Sequence, residues 1–260
     1  MSSTLLRAFT ILELLTGKPD GLRLGEIADQ LNFPKSAVHR TLAALCDLGY
    51  VKQELESGQY ALTLRMVSRA LRHVSNLPLV NAAGPILDEL AASSGELVRL
   101  SIADGDTLAW VAMRQGARYG LRYDPVAGHE VKLVRTSSGL AWLSGIRRER
   151  AVALIDEQGF DDLDRYGPSG ATNREEALAA LDEVTKLGFS YTDSTFELGT
   201  ATVAVPIREQ GKEAVGALSI AGPNVRLPYA RAMEITSQLF AASADIAILS
   251  SATSLLPISD

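Results

Sequence analysis

The segment from Leu24 to Val51 constrains this chain more than any other stretch, because it has the layout of a short helix, a tight turn, a second helix and the start of a strand. In the second helix Val38, Leu42, Leu45 and Leu48 recur at helical spacing and predict one buried stripe. At about 100° per residue, Ser36, His39, Arg40, Ala43 and Asp47 fall on the opposite side. That outward side is small and hydrogen-bonding near the helix start, and it carries a fixed cation. It suits a helix whose N-terminal half enters a DNA major groove, with Lys35, Ser36, His39, Arg40 and Thr41 as the DNA-facing set. An ordinary amphipathic surface helix has the same stripe, so the flanking residues have to weigh between the two readings.

Pro34 is expected at the first position of the second helix, where a missing N–H costs nothing, and it restricts Phe33 so that the preceding helix ends. Gly49 stands where a C-terminal capping glycine belongs. Tyr50–Leu55 and Gln59–Leu62 flank Glu56-Ser57-Gly58 and predict a hairpin. Upstream, Leu5, Phe9, Ile11, Leu12, Leu14 and Leu15 predict another amphipathic helix, closed by Gly17-Lys-Pro19. Three helices and a hairpin in this order make a winged helix.

Residues 1–72 hold nine Lys and Arg against seven Asp and Glu, while the remainder holds sixteen against twenty-four, within an overall net charge of −6. An acidic chain does not coat nucleic acid broadly, and the asymmetry favours DNA contact through the first segment only. The wing carries Glu54 and Glu56 and no Arg, so deep insertion into a minor groove is not expected. A length of 260 residues exceeds what one winged helix needs, and 47% hydrophobic residues supply a second core. The single cysteine, Cys46, excludes an intramolecular disulfide and reads as a partly buried structural thiol. No signal peptide is apparent, and the most membrane-like window, Ser237–Leu256, contains Asp245 and reads as a packed helix. A cytoplasmic protein without membrane partner or cofactor is expected.

After the hairpin, Leu64, Val67, Leu71 and Val74 mark a linker helix, broken by Ser75-Asn-Leu-Pro78 and followed by another helix to about Ser93. The expected division is residues 1–75, a DNA-binding unit with its linker helix, and 76–260, an effector-binding and oligomerisation unit. In the second, Leu97–Ala103 and Thr107–Met113 flank the hairpin turn Asp104-Gly-Asp106. Helices are expected around Ser138–Ser144 and Arg147–Gln158, and from a capping box at Thr172 and Glu175 to Leu187. Strands follow at Phe189–Asp193, Thr200–Ile207 and Ala214–Ile220, and Pro228 opens a terminal helix. Hairpins with flanking helices predict an antiparallel sheet with helices packed on it, in an α+β chain.

Several of these residues together resemble the IclR family of bacterial transcription regulators. They are Pro34-Lys-Ser-x-Val-His-Arg40, Gln59-Tyr-Ala-Leu62, Leu187-Gly-Phe-Ser-Tyr-Thr-Asp193, Gly199 with Val203-Ala-Val-Pro206, and Gly216-Ala-Leu-Ser-Ile-Ala-Gly-Pro223. The resemblance covers nearly the whole chain. It implies a GAF- or profilin-like second domain that binds a small metabolite, often an organic or aromatic acid. It also implies homodimers, or dimers of dimers, on double-stranded operator DNA. The effector pocket it implies falls on Tyr123, Val131, Ser137, Ser138, Asp193, Thr202, Ser219 and Ala221. Ser137-Ser-Gly139 would offer backbone N–H groups and a positive helix end to an anion. Thr202 and Ser219 would add hydroxyls, and Tyr123 and Val131 an apolar wall.

The chain departs from the family's pattern at Val134 and Leu140, where a His and a Lys are common, and at Thr202 and Ala221, where Cys and Ser are frequent. The loop Glu197-Leu-Gly199 is short. One fewer hydroxyl and no added cation point to a larger or more apolar ligand than a small, highly charged carboxylate. Two other classes stand beside this reading. One is a DNA-binding protein whose second domain only oligomerises or recruits a protein. The other, a hydrolase, has little support: His39, His73 and His129 lack partners at metal spacing, no nucleophile elbow or phosphate loop occurs, and Asp193 with Glu197 flank a turn.

Overall fold

The computed structural model describes residues 3–125, 131–161 and 165–252, and the chain divides into two compact units, residues 1–75 and 76–260. His129, expected in a loop, lies outside the described residues. The first unit runs α1 (Thr4–Thr16), α2 (Leu24–Leu31), α3 (Lys35–Asp47), β1 (Val51–Gln53), β2 (Tyr60–Leu62) and α4 (Arg65–Ser75). Asn32 makes the turn between α2 and α3 in the left-handed region at φ 52. Pro34 stands one position earlier than expected: it is the N-cap of α3, and its carbonyl accepts from Ala37 and Val38. At the other end Leu48 caps the helix and Gly49 turns the chain at φ 73. That turn carries Leu48 outward to 58% exposure, so the predicted stripe stops at Leu45. Val38, Leu42 and Leu45 close on Ile11, Leu15, Ile27, Val51 and Tyr60. In α1 only Ile11, Leu12 and Leu15 are buried, while Leu5 and Phe9 are exposed because the first turns of that helix have no core beneath them. No residue of α4 is buried, and Leu64, Val67 and Leu71 face solvent.

The second unit runs α5 (Pro78–Ser94), β3 (Leu97–Asp104), β4 (Thr107–Gln115), α6 (Ser137–Ser144), α7 (Arg148–Gln158), α8 (Arg174–Leu187), β5 (Ser190–Asp193), β6 (Thr200–Ile207), β7 (Gly216–Pro223) and α9 (Tyr229–Ala252). The strands form one five-stranded sheet in the order β4-β3-β7-β6-β5, antiparallel throughout. Val98, Leu100, Val203, Val205, Leu218 and Ile220 pack on one face with Leu87 of α5 and Leu239 and Ile246 of α9. On the other face Ala204 and Ala217 meet Trp142 and Leu143 of α6 and the apolar sides of α7 and α8. Coverage on both faces explains why β7 is buried along its whole length instead of alternating. Gly139 is required inside α6, since a Cβ there would stand 2.3 Å from the Leu133 carbonyl oxygen.

The capping box of α8 sits one residue later than predicted. Asn173 is the N-cap and accepts from the Glu176 N–H, while the Glu176 carboxylate accepts from the Thr172 N–H and hydroxyl. Among the described residues α9 is the one helix long and apolar enough to cross a membrane. Its buried stripe of Ala232, Ile235, Leu239, Ala242 and Ile246 is instead part of the sheet core.

Candidate DNA interface and effector cavity

On α3, Lys35, Ser36, His39 and Arg40 are exposed, and among the described residues their side chains make no hydrogen bond or ion pair. No side chain caps the helix start, so its first N–H groups are open to an anion such as a backbone phosphate. Thr41, expected in the same set, is turned the other way. It is 3% exposed, and its hydroxyl donates to the Ala37 carbonyl one turn back at 3.0 Å. It sits next to Leu42 on the inner side, where no base edge reaches it. Cys46 is half-buried, and burial, with Asp47 beside it, raises its thiol pKa. In the wing, Lys52 and Glu54 pair at 3.9 Å with both side chains exposed, worth little in water.

The second unit holds a small cavity of about 10 Å³, lined by Arg99, Tyr123, Thr136, Ser137, Phe196 and Thr202 together with Thr192, Thr195 and Thr200. That is the room of roughly one water molecule. Thr136 caps α6 by accepting from the Gly139 N–H at 3.1 Å. The helix N-terminus and its partial positive charge therefore point at this cavity. Ser137 Oγ donates to the Thr202 carbonyl at 2.7 Å and so accepts from Thr192 Oγ1 at 2.9 Å.

Arg99 is the residue the sequence reasoning missed. It is 4% exposed, its Nε has no acceptor, and among the described residues no carboxylate lies within ion-pair distance of it, although the Glu197 charge acts on it. Its guanidinium lies 4.6 Å from the centre of the Trp110 ring and 5.8 Å from that of Tyr123. Burial lowers its pKa, with Tyr123 and the Glu197 carboxylate opposing that shift, and a guanidinium stays charged under any working condition. The Tyr123 hydroxyl is pushed up to about 12, chiefly by burial, with Arg99 lowering it and Glu197 raising it. Burying a cation costs several kcal/mol, and stacking on Trp110, with the Tyr123 hydroxyl and the Glu197 carboxylate nearby, offsets part of that. Arg99 thus puts a cation at the cavity although Leu140 stands where a Lys is common in the family. The signal was legible: a charged residue interrupts the apolar run Leu97-Val-Arg-Leu100 at an inward strand position.

Of the residues expected around the effector, Tyr123, Ser137 and Thr202 line the cavity, and Ala221 packs against Tyr123 and Leu97. Ser138 and Ser219 do not line it. They are fully buried and bond to each other at 3.2 Å, joining α6 to β7. Val131 is absorbed into the core on the α6 face. Asp193 accepts from Asn224 Nδ2 at 3.0 Å and from Ser194 Oγ at 2.8 Å. It braces the turn after β5. Thr136, Thr192, Thr195, Phe196 and Thr200 were also missed, because loops and neighbouring strands bring them together from separate parts of the chain. Next to the cavity, Glu96 is gripped by Arg226 through two bonds of 2.6 and 2.7 Å. Arg226 also donates to the Leu121 carbonyl, tying down the segment that carries Tyr123.

Comparison with known proteins follows the same division. Residues 4–55 match the IclR helix-turn-helix domain, and residues 71–248 match the family described as bacterial transcriptional regulator IclR C-terminal. The chain is 28% identical over 244 residues to the HTH-type transcriptional regulator KdgR of Escherichia coli (strain K12), covering 94% of this chain and 91% of that protein. It is 26% identical over 246 residues to the acetate operon repressor of Salmonella typhimurium (strain LT2), covering 94% and 89%. A solved IclR homolog from Microbacterium hydrocarbonoxydans, complexed with 4-hydroxybenzoate, superposes with a TM-score of 0.72 at 22% identity, covering 96% of this chain and 100% of that one. That likeness carries the fold. Both domain matches fall in order along one chain, and they account for the helix-turn-helix and for the sheet unit behind it. The chain belongs to the IclR family of bacterial transcriptional regulators.

Proposed function

We propose that this DNA-binding transcriptional regulator works in the cytoplasm and holds its operator through Lys35, Ser36, His39 and Arg40 of α3. A small organic acid in the cavity at the start of α6 modulates that binding. Two protomers set their α3 helices in successive major grooves, about 34–36 Å apart. The ligand shifts the equilibrium between arrangements of these helices only by its differential affinity for them. The similar KdgR of Escherichia coli is a transcriptional regulator and the similar Salmonella typhimurium protein is the acetate operon repressor. A structural neighbour holds 4-hydroxybenzoate, which supports an acid of this size.

The observation that carries the effector reading is Arg99. A domain that only oligomerised or recruited a partner needs no buried guanidinium lining a cavity at a helix start. The test is a gel-shift titration on the DNA upstream of its own coding region at low ionic strength, with and without organic acids, alongside thermal melts. A ligand at about 100 times its Kd adds about 2.7 kcal/mol to stability. Operator binding that is absent, or binding that no acid alters while melting stays fixed, defeats the corresponding half of the reading.

A further inference from the structure

The second unit holds a larger cleft of about 340 Å³, at the lower end of the size of small-molecule sites. Ala180, Val184 and Leu187 of α8 form one wall, and Phe189, Tyr191 and Thr192 in and just before β5 form another. Tyr229, the first residue of α9, lines it as well. Because β5 is the edge of the sheet, no further strand covers that wall. Leu187 and Tyr229 stay 43% and 49% exposed, so apolar surface is left at the cleft. Only Thr192 and Thr195 line both this cleft and the cavity at the start of α6.

The hydrogen-bonding groups of the cleft are one-sided. Thr192 gives its hydroxyl proton to Ser137, whose own goes to the Thr202 carbonyl. Thr195 donates to the Arg135 carbonyl at 2.8 Å and Tyr191 to the Leu227 carbonyl at 3.1 Å. What these three hydroxyls still offer is lone pairs. Among the described residues Glu183 is the one charged side chain lining the cleft. Asp182 beside it pairs with Arg148 at 2.8 Å, whereas no cation lies within ion-pair distance of Glu183 among the described residues. Lys186, one turn further along α8, does not line the cleft. Nor does Arg135, which packs against Gly170 and donates to the Gly167 carbonyl at 3.2 Å. Tyr191 and Tyr229 meet edge to face, with ring centres 5.3 Å apart and planes at 80°. Their faces carry the negative side of the ring quadrupole. An anion is repelled by such a lining. An ammonium group has three donors and no acceptor, and a tyrosine face attracts it.

We propose that this cleft is a second binding site, separate from the cavity at the start of α6, and that it takes an organic cation: an ammonium group on a short apolar body. Glu183 is its counter-ion, Tyr191 and Tyr229 give it ring faces, and Val184, Leu187 and Phe189 take the apolar body. The site stands whether or not an acid occupies the first cavity.

The experiment titrates the full-length protein at neutral pH with phenethylamine, phenethyl alcohol and butylamine, by calorimetry and by melting point. Phenethylamine is expected to bind, and phenethyl alcohol, of nearly the same shape but uncharged, at least ten-fold more weakly. Added salt weakens the amine and leaves the alcohol unchanged. Glu183→Gln brings the amine down to the affinity of the alcohol, and Glu183→Asp retains part of the preference. Tyr229→Leu, which keeps an apolar surface without a ring face, weakens the amine more than the alcohol. Glu183 and Tyr229 both lie outside the buried core, so ligand-free melting of these variants matches the wild type.

An alcohol that binds as tightly as the amine overturns the cation assignment. So does a Glu183→Gln protein that keeps the wild-type preference. Equal loss of amine and alcohol in Tyr229→Leu removes the ring faces from the assignment. No binding of either phenethylamine or the shorter butylamine overturns the site itself, and none of these outcomes bears on the acid reading of the first cavity.

Discussion

Arg40 and Thr41 are neighbours in sequence with opposite fates, and the difference is one step of 100° around α3. Arg40 is exposed and partnerless, while Thr41 is held to Ala37 inside the core. Arg40→Ala is therefore expected to weaken operator binding by about 1–3 kcal/mol and relax selectivity at one base pair if it reads a guanine. If it meets phosphate alone, affinity falls on all sequences alike, with a salt slope smaller by about one. Thr41→Val leaves operator affinity within about two-fold, since a hydroxyl bonded to its own helix is replaced by a methyl of equal shape. A salt series of gel shifts reads both variants. The same contrast holds between Thr202 and Ser219. Thr202→Val alters the response to ligand because it lines the cavity. Ser219→Ala strands Ser138, at a cost of about 1 kcal/mol in thermal stability, and leaves ligand titrations unchanged.

The second unit is pinned by contacts between elements that neither element reveals alone. At the start of α7, Glu213 accepts from the Arg147 N–H at 3.0 Å, from Arg147 Nε at 2.9 Å and from Arg150 Nη1 at 3.1 Å. Burial raises the Glu213 pKa, but these bonds outweigh it and leave the group below the ordinary Glu range. A folded pKa below the unfolded one means that the stabilisation is fully present above about pH 4.3 and is lost as pH falls through the folded value. Glu213→Gln is expected to lower the melting point at pH 7 and to reduce the further loss between pH 5 and 3. Melts across that range check it, and a parallel loss in both proteins would assign the acid sensitivity elsewhere. At this scale the helices and strands of both units were readable from periodicity. The shift of the α8 cap to Asn173 was not, because Thr172 and Asn173 are both good caps and only the Glu176 carboxylate reaching back to Thr172 chooses between them.

At the scale of the whole molecule, the proposed dimer is the feature to test. Leu5, Leu6 and Phe9 on α1, Leu64 just before α4, and Val67 and Leu71 on α4 are all more than half exposed, apolar surface that a second copy would cover. Leu71→Glu or Phe9→Glu is expected to shift the protein to a smaller species in sedimentation velocity and to weaken operator binding at least ten-fold. Neither changes the fold, because neither residue is in the core of its unit. Unchanged sedimentation with both would move the self-contact to other surfaces. The order of elements, the inward stripe of α3 and the hairpins were settled by local spacing and turn residues, which act within a few residues of chain. Which side chains share the cavity was decided only by the sheet. The register of β3, β7, β6 and β5 sets Arg99 beside Ser219 and Thr202 beside Thr192, and loops bring in Tyr123 and Phe196. Whether a serine holds a neighbour or faces a ligand depends on which strand lies opposite it, and chain-distant pairing of that kind leaves no periodic trace in the sequence.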